Sequence, residues 1–206
     1  MSNLLVVKAH PLEKENSRSM KVLDRFITSY QAKNPQDTLN IVDLYKENIP
    51  EIDEEILLAW NQLGNGKDFA QLTESQQAKL LLFNQSTEQF IAVNKIVIVN
   101  ALWNLTIPTR LKAWIDTICV AGKTFRYTEN GPEALTRGKK ALHIQSSGSI
   151  YEGKDFASLY LEQILTFIGI HNYEQLLIEG IDQTPEREEE LMNKAFDAAE
   201  LLGTTF

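Results

Sequence analysis

Three polar loops carry the side chains of this sequence that are equipped to seat and orient a ligand. The first runs through residues 9–20 (AHPLEKENSRSM) and holds His10, then Ser17, Arg18 and Ser19 where an amphipathic segment begins. Free backbone N–H groups at a helix N-terminus, two hydroxyls and a guanidinium together make a phosphate seat. The same residues also read as an ordinary helix cap followed by a solvated arginine. The second loop, Leu102-Trp103-Asn104-Leu105, follows the apolar run KIVIVNA at 95–101. A Trp and an Asn in that place suit a flat aromatic ligand that needs stacking and edge hydrogen bonds. The third is Ser146-Ser147-Gly148-Ser149, directly after the run 140–145. A Ser/Gly turn brings backbone amides close to a ligand, although a plain strand-to-helix loop has the same composition. The coincidence carries the information. All three loops follow apolar runs, and in open α/β sheets ligands lie at the carboxyl ends of strands. A ligand with a phosphate at one end and a planar polar ring at the other uses all three.

Hydrophobic periodicity supplies the elements that must hold these loops. Short apolar runs at 4–8, 39–44, 95–101, 140–145 and 173–179 predict five strands. Helical spacing predicts helices over about 17–33, 51–63, 73–93, 108–122, 156–168 and 185–202, with Thr106 as N-cap of the fourth and Pro108 in its first turn. Residues 125–138, with Asn130-Gly131-Pro132, read as a hairpin or loop. Strands alternating with helices imply right-handed crossovers and an α/β, doubly wound, five-stranded parallel sheet of flavodoxin-like order 2-1-3-4-5. The chain reads as one domain over 1–206, with a helical insertion at about 45–94.

Composition narrows the partners. A net charge of -8 on 206 residues argues against nucleic acid or an anionic membrane, both of which need a basic surface. No apolar run approaches the roughly 18 residues of a membrane span, and residues 1–9 lead into a strand without a signal-peptide pattern. The single Cys119 fits a reducing cytoplasm and reads as a packing residue. Neither G-x-G-x-x-G nor a Walker A loop follows the first strand. Without those glycines, Asp43 at the end of the second strand reads as a solvated or capping carboxylate. His143 falls inside a strand and reads as a core residue, and no spacing of His, Cys and carboxylates suits a metal, so none is expected.

The motifs KAHP with SRS downstream, WNL at 103–105, KTFRYTENGP at 123–132 and GKKALHIQSSGS at 138–149 resemble the bacterial FMN-dependent NADH azoreductases, which are also NADH:quinone oxidoreductases. The likeness covers essentially the whole chain, KTFRYTENGP is its most specific part, and EGI at 179–181 adds weaker support. It implies non-covalent FMN, one per subunit, NADH as donor, and a homodimer with its active sites at the subunit interface. By position, His10, Ser17, Arg18 and Ser19 would hold the FMN phosphate. Leu102, Trp103, Asn104 and Leu105 would contact the ring, and Ser146, Ser147, Gly148 and Ser149 its far polar edge. Phe125 and Tyr127 are the candidates for lining the substrate slot. The implied activity is two-electron reduction of quinones to hydroquinones and cleavage of aromatic azo compounds to amines, with donor and acceptor alternating in ping-pong fashion. No protein group is assigned as catalytic acid or base; Trp103 and Asn104 lie adjacent to the chemistry. Ser149 stands where the family has the second glycine of a pair, so a left-handed backbone or a close approach to the ligand is expected there. The rival reading is a flavodoxin-like electron carrier or redox-sensing binding module.

Overall fold

Every apolar run becomes a strand of one sheet. The computed structural model describes residues 3–206, so Met1 and Ser2, which open both the 1–206 domain and the segment without a signal pattern, lie outside the described residues. In chain order the elements are β1 (Asn3–Ala9), α1 (Arg18–Lys33), β2 (Thr38–Asp43), α2 (Glu54–Gly64), α3 (Glu74–Ile91), β3 (Lys95–Ala101) and α4 (Thr109–Ile118). The hairpin β4 (Phe125–Thr128) and β5 (Gly131–Ala134) follows, then β6 (Lys140–Ser146), α5 (Phe156–Phe167), β7 (Asn172–Ile178) and α6 (Glu188–Thr205). The sheet order is β2-β1-β3-β6-β7 with every pair parallel, which is 2-1-3-4-5 when only its own strands are counted. The chain passes from β1 outward to β2 and then crosses back to β3 on the other side of β1. The carboxyl ends of β1 and β3 therefore border the crevice where such sheets bind ligands.

Period-two alternation divides the strand side chains between two cores. Leu5, Val7, Ile96 and Ile98 pack with Phe90, Trp114 and Leu161 on one face. Leu4, Val6, Val97 and Val99 pack with Phe26 of α1 and Met192 of α6 on the other. Burial on both faces is why these strands read as continuous apolar runs, and each fully buried Leu, Ile or Val contributes about 1.5–3 kcal/mol.

The segment between β2 and β3 contains the crossover helix α3 and the additional helix α2. Ile56, Ala59 and Trp60 of α2 pack on Leu80 and Phe83 of α3, with the Trp60 and Phe83 rings edge to face at 5.1 Å. Trp60 thus finds its cover within the chain. Two local expectations are corrected around α4. Thr106 is not its cap: the helix starts at Thr109 after an extended Pro108, which has no side chain able to cap. It also ends at Ile118, short of 122, because the Thr124 hydroxyl accepts from Val120 N–H at 2.9 Å and donates to the Ile118 carbonyl at 2.7 Å.

Candidate active site at the sheet's carboxyl edge

Ser17 begins α1 in the manner its residue type favours. Its backbone is extended, and its Oγ accepts from Met20 N–H at 3.4 Å and lies 3.3 Å from Ser19 Oγ. Both serines are buried. The backbone N–H groups of the first turn have no partner within the helix, so an anion is the natural complement. Arg18 sits between the two serines, yet its guanidinium turns elsewhere: Nη1 donates to Asp182 at 2.7 Å and Nε to Glu188 at 3.0 Å. What Arg18 offers at the helix start is its backbone N–H.

The approach to Ser17 is pinned from below. Lys8, at the end of β1, donates to Glu13 at 3.0 Å and to Asp43 at 2.9 Å, and Lys46 closes the set by pairing with Glu13. Lys46 and Lys8 hold the Glu13 carboxyl down at about 2. Asp43 also accepts from Tyr45 N–H at 3.1 Å, so it serves the loops as an ion-paired cap. His10, at the mouth of this loop, is buried, which pushes its pKa below the ordinary value, and the charge of Lys8 pushes the same way. Leu12 N–H donates to His10 Nδ1 at 3.0 Å. The same Nδ1 lies 3.3 Å from the Leu12 carbonyl oxygen, so the Leu12 backbone holds the ring through Nδ1 in either tautomer.

The second loop is a two-residue turn. Trp103 and Thr106 exchange N–H···O bonds of 3.1 and 3.3 Å, and the central residues Asn104 and Leu105 are both left-handed, at φ 50° and 64°. Both central residues at positive φ is the pattern of a type I′ turn, in which Asn is at home and Leu is not. Holding Leu105 there costs roughly 1–2 kcal/mol. The turn presents Trp103 and Leu105 at the surface, 39% and 45% exposed, and brings the Trp103 ring within 5.4 Å of the His10 ring. Leu102 N–H donates to the Ser146 carbonyl at 2.8 Å, which fastens the second loop to the third.

In the third loop the Ser147 hydroxyl donates to the Ser149 carbonyl at 2.8 Å, and Ser147 N–H donates to Ile178 at 2.9 Å. The expected strain at Ser149 is absent: the left-handed non-glycine in this loop is Glu152, at φ 54°. Glu152 is supported there by Glu179, whose carboxylate accepts from Tyr151 N–H at 3.2 Å and Glu152 N–H at 3.0 Å. Gly180 follows at φ 79°, where a Cβ would meet Ile150 at 2.8 Å. The EGI segment is therefore the far wall of the third loop.

The two aromatics proposed for a substrate slot part company. Phe125 is buried, its ring 4.8 Å from Phe167. Tyr127, on the same face of the hairpin, stands edge-on to Phe125 and is 75% exposed. Cys119 is a packing residue, as expected, with burial pushing its thiol up to about 12. His143 is buried in β6, held by Asn100 Oδ1 at 2.8 Å and Tyr173 OH at 3.1 Å, and burial lowers it to about 4.

A doubly wound parallel sheet whose polar loops gather at its topological switch defines a flavodoxin-like α/β protein. The comparisons agree. A family model described as "flavodoxin-like fold" matches residues 2–202. The FMN-dependent NADH:quinone oxidoreductase 2 of Listeria monocytogenes is 46% identical over the full length of both chains, and the FMN-dependent NADH:quinone oxidoreductase of Bacillus pumilus is 42% identical over the same span. Among solved structures, an azoreductase from Bacillus anthracis superposes with a TM-score of 0.92 at 33% identity, covering 100% of each chain. A second from that organism, an FMN-dependent NADH-azoreductase in complex with FMN, gives 0.88 at 32% identity, covering 98% of this chain and 100% of that one. The chain belongs to the flavodoxin-like family and, within it, to the group of the FMN-dependent NADH:quinone oxidoreductases.

Proposed function

We propose that the crevice formed by the loops after β1, β3 and β6 holds FMN without a covalent bond, one per subunit, and that the protein is an NADH-driven reductase of quinones and aromatic azo compounds. The observation that carries this reading is the meeting of two unlike surfaces at one edge: the capped start of α1 with its two serines, and the exposed Trp103 on its left-handed turn. The residues fit the cofactor. A phosphate would take the backbone N–H groups of Arg18 and Ser19, the hydroxyls of Ser17 and Ser19, and the imidazole of His10. A flat ring would take the Leu102–Leu105 turn on one side and the Ser146–Ser149 loop at its polar edge. When bound, FMN supplies the two-electron chemistry that links NADH to the acceptor.

The chain contributes binding, orientation and shelter. Asn104, at the tip of the turn, offers an amide toward a ring edge, and Trp103 supplies apolar area beside it. Donor and acceptor share this mouth, so they visit it in turn. Tyr127, Ile150, Phe156 and Leu159 are all exposed, and a second copy of the chain packed on them makes the homodimer and narrows the slot. The dimer does not depend on Trp60, which is covered by α3. Among the described residues no helix is long and apolar enough to cross a membrane, and the use of NADH as donor supports a cytoplasmic enzyme. Initial rates with NADH and a benzoquinone test this reading. It expects parallel double-reciprocal lines at several quinone concentrations; intersecting lines would mean that both substrates bind together.

A further inference from the structure

The third loop and the start of α1 are joined through a residue that belongs to neither. Asp182 follows β7, and its N–H donates to the Gly148 carbonyl at 3.2 Å. One oxygen of its carboxylate accepts from Arg18 Nη1 at 2.7 Å, while Arg18 Nε donates to Glu188 at the start of α6 at 3.0 Å. The other carboxylate oxygen lies over Gly148. A Cβ built on Gly148 would overlap that oxygen and stand 3.0 Å from Asp182 Cγ, and its three nearest atoms all belong to Asp182. Gly148 is not left-handed, so conformational freedom is not what glycine supplies here. It supplies room for a carboxylate.

We propose that Asp182 is a positioning residue for the cofactor, bracing Gly148 against Arg18, and that position 148 is glycine in order to admit the Asp182 side chain. The proposal rests on the FMN reading. The start of α1 and the β6 loop would bear on opposite ends of one ligand, so their separation has to match its length. Asp182 reaches both, through its backbone to the Gly148 carbonyl and through its side chain to Arg18. Attraction is the lesser part of what Arg18 does, because Asp182 and Glu188 offset its charge beside the phosphate seat. Its side chain is the far anchor of the brace. Asp182 is 64% exposed, so the brace is worth a few-fold in affinity and not several orders of magnitude.

Four proteins decide this: wild type, Asp182→Ala, Gly148→Ala and the double variant. Each is titrated with FMN and with riboflavin by flavin-fluorescence quenching, and each is melted without flavin. The brace predicts that either single change raises the FMN dissociation constant about fivefold. It predicts that the double variant is little worse than either single one, since without the carboxylate the added methyl meets only the Cβ of residue 182, at 3.2 Å. Riboflavin lacks the phosphate, touches one anchor only, and loses less than FMN. A cost for Gly148→Ala that is the same with and without Asp182 overturns the proposal, as do singles that leave FMN binding unchanged. Equal losses for the two flavins would reduce Asp182 to general loop support and overturn it too. Should the wild type bind no FMN, the cofactor reading fails. The melting of the four apo-proteins then still tests the contact with Asp182: a Gly148→Ala penalty that shrinks in the Asp182→Ala background supports it, and an undiminished penalty contradicts it.

Discussion

His10 and Trp103 stand ring beside ring, their centroids 5.4 Å apart and their planes inclined at 50°, although they arrive from different loops on the two sides of the topological switch. The contact makes one wall from two loops. Burial lowers the His10 pKa below its ordinary value, and the Leu12 backbone holds the ring through Nδ1. His10→Ala removes the imidazole proposed for the phosphate and one side of the support for Trp103, and is expected to raise the FMN dissociation constant about tenfold. Fluorescence titration checks it. An unchanged constant would make His10 a loop residue with no part in the site.

Ser17 performs two tasks that substitution can separate. Ser17→Ala removes the cap, costing about 1 kcal/mol of apo-protein stability, and weakens FMN as well. Ser17→Asp keeps a good cap but sets a carboxylate against the phosphate. The aspartate variant is therefore expected to melt near wild type and to bind FMN at least tenfold more weakly. Stability and affinity falling together in Ser17→Asp would confine Ser17 to capping.

The left-handed Leu105 gives a prediction of opposite sign for stability. Glycine at 105 relieves roughly 1–2 kcal/mol of backbone strain against about 0.5–1 kcal/mol of added chain entropy. Little burial is lost, since Leu105 is exposed. Leu105→Gly should raise apo-protein stability by a few tenths of a kcal/mol and loosen FMN, as denaturant melts and flavin titration would show. A clear loss of stability would mean that contacts of Leu105 outweigh its strain.

His143 makes stability depend on pH. Its folded pKa, near 4, lies below the ordinary 6.5 because burial disfavours the charged ring. The unfolded chain takes up this proton as pH falls below 6.5, while the folded protein resists until about 4. Stability is therefore lost across that window, by about 3 kcal/mol from this residue. His143→Gln keeps an amide donor for Asn100 and an acceptor for Tyr173, and should flatten this limb of the pH–stability curve. The limb at lower pH, where Glu13 is protonated away from Lys46 and Lys8, should remain. A variant that loses stability between pH 6.5 and 4 as steeply as wild type would refute the assignment.

Strands, crossover helices and the three polar loops were legible because each rests on local pattern. Continuous β-branched runs marked the central strands, and Ser17 ahead of Met20, Leu23 and Phe26 marked the start of α1. What escaped was set by contacts across the chain. Arg18 was read as a phosphate ligand, and only the fold brings Asp182 and Glu188, 164 and 170 residues away, to its guanidinium. Leu105 carries no composition signal for positive φ, whereas Ser149, marked by a missing glycine, needed none. Phe125 and Tyr127 share one strand face, so alternation could not tell that Phe167 covers the first and leaves the second exposed.

Consumption of NADH in the presence of a benzoquinone, measured on the purified protein before and after saturation with FMN, tests the central claim most directly. The account predicts turnover that depends on bound FMN, with one NADH consumed per quinone reduced to hydroquinone. An FMN-saturated protein that leaves both NADH and quinone untouched would contradict it.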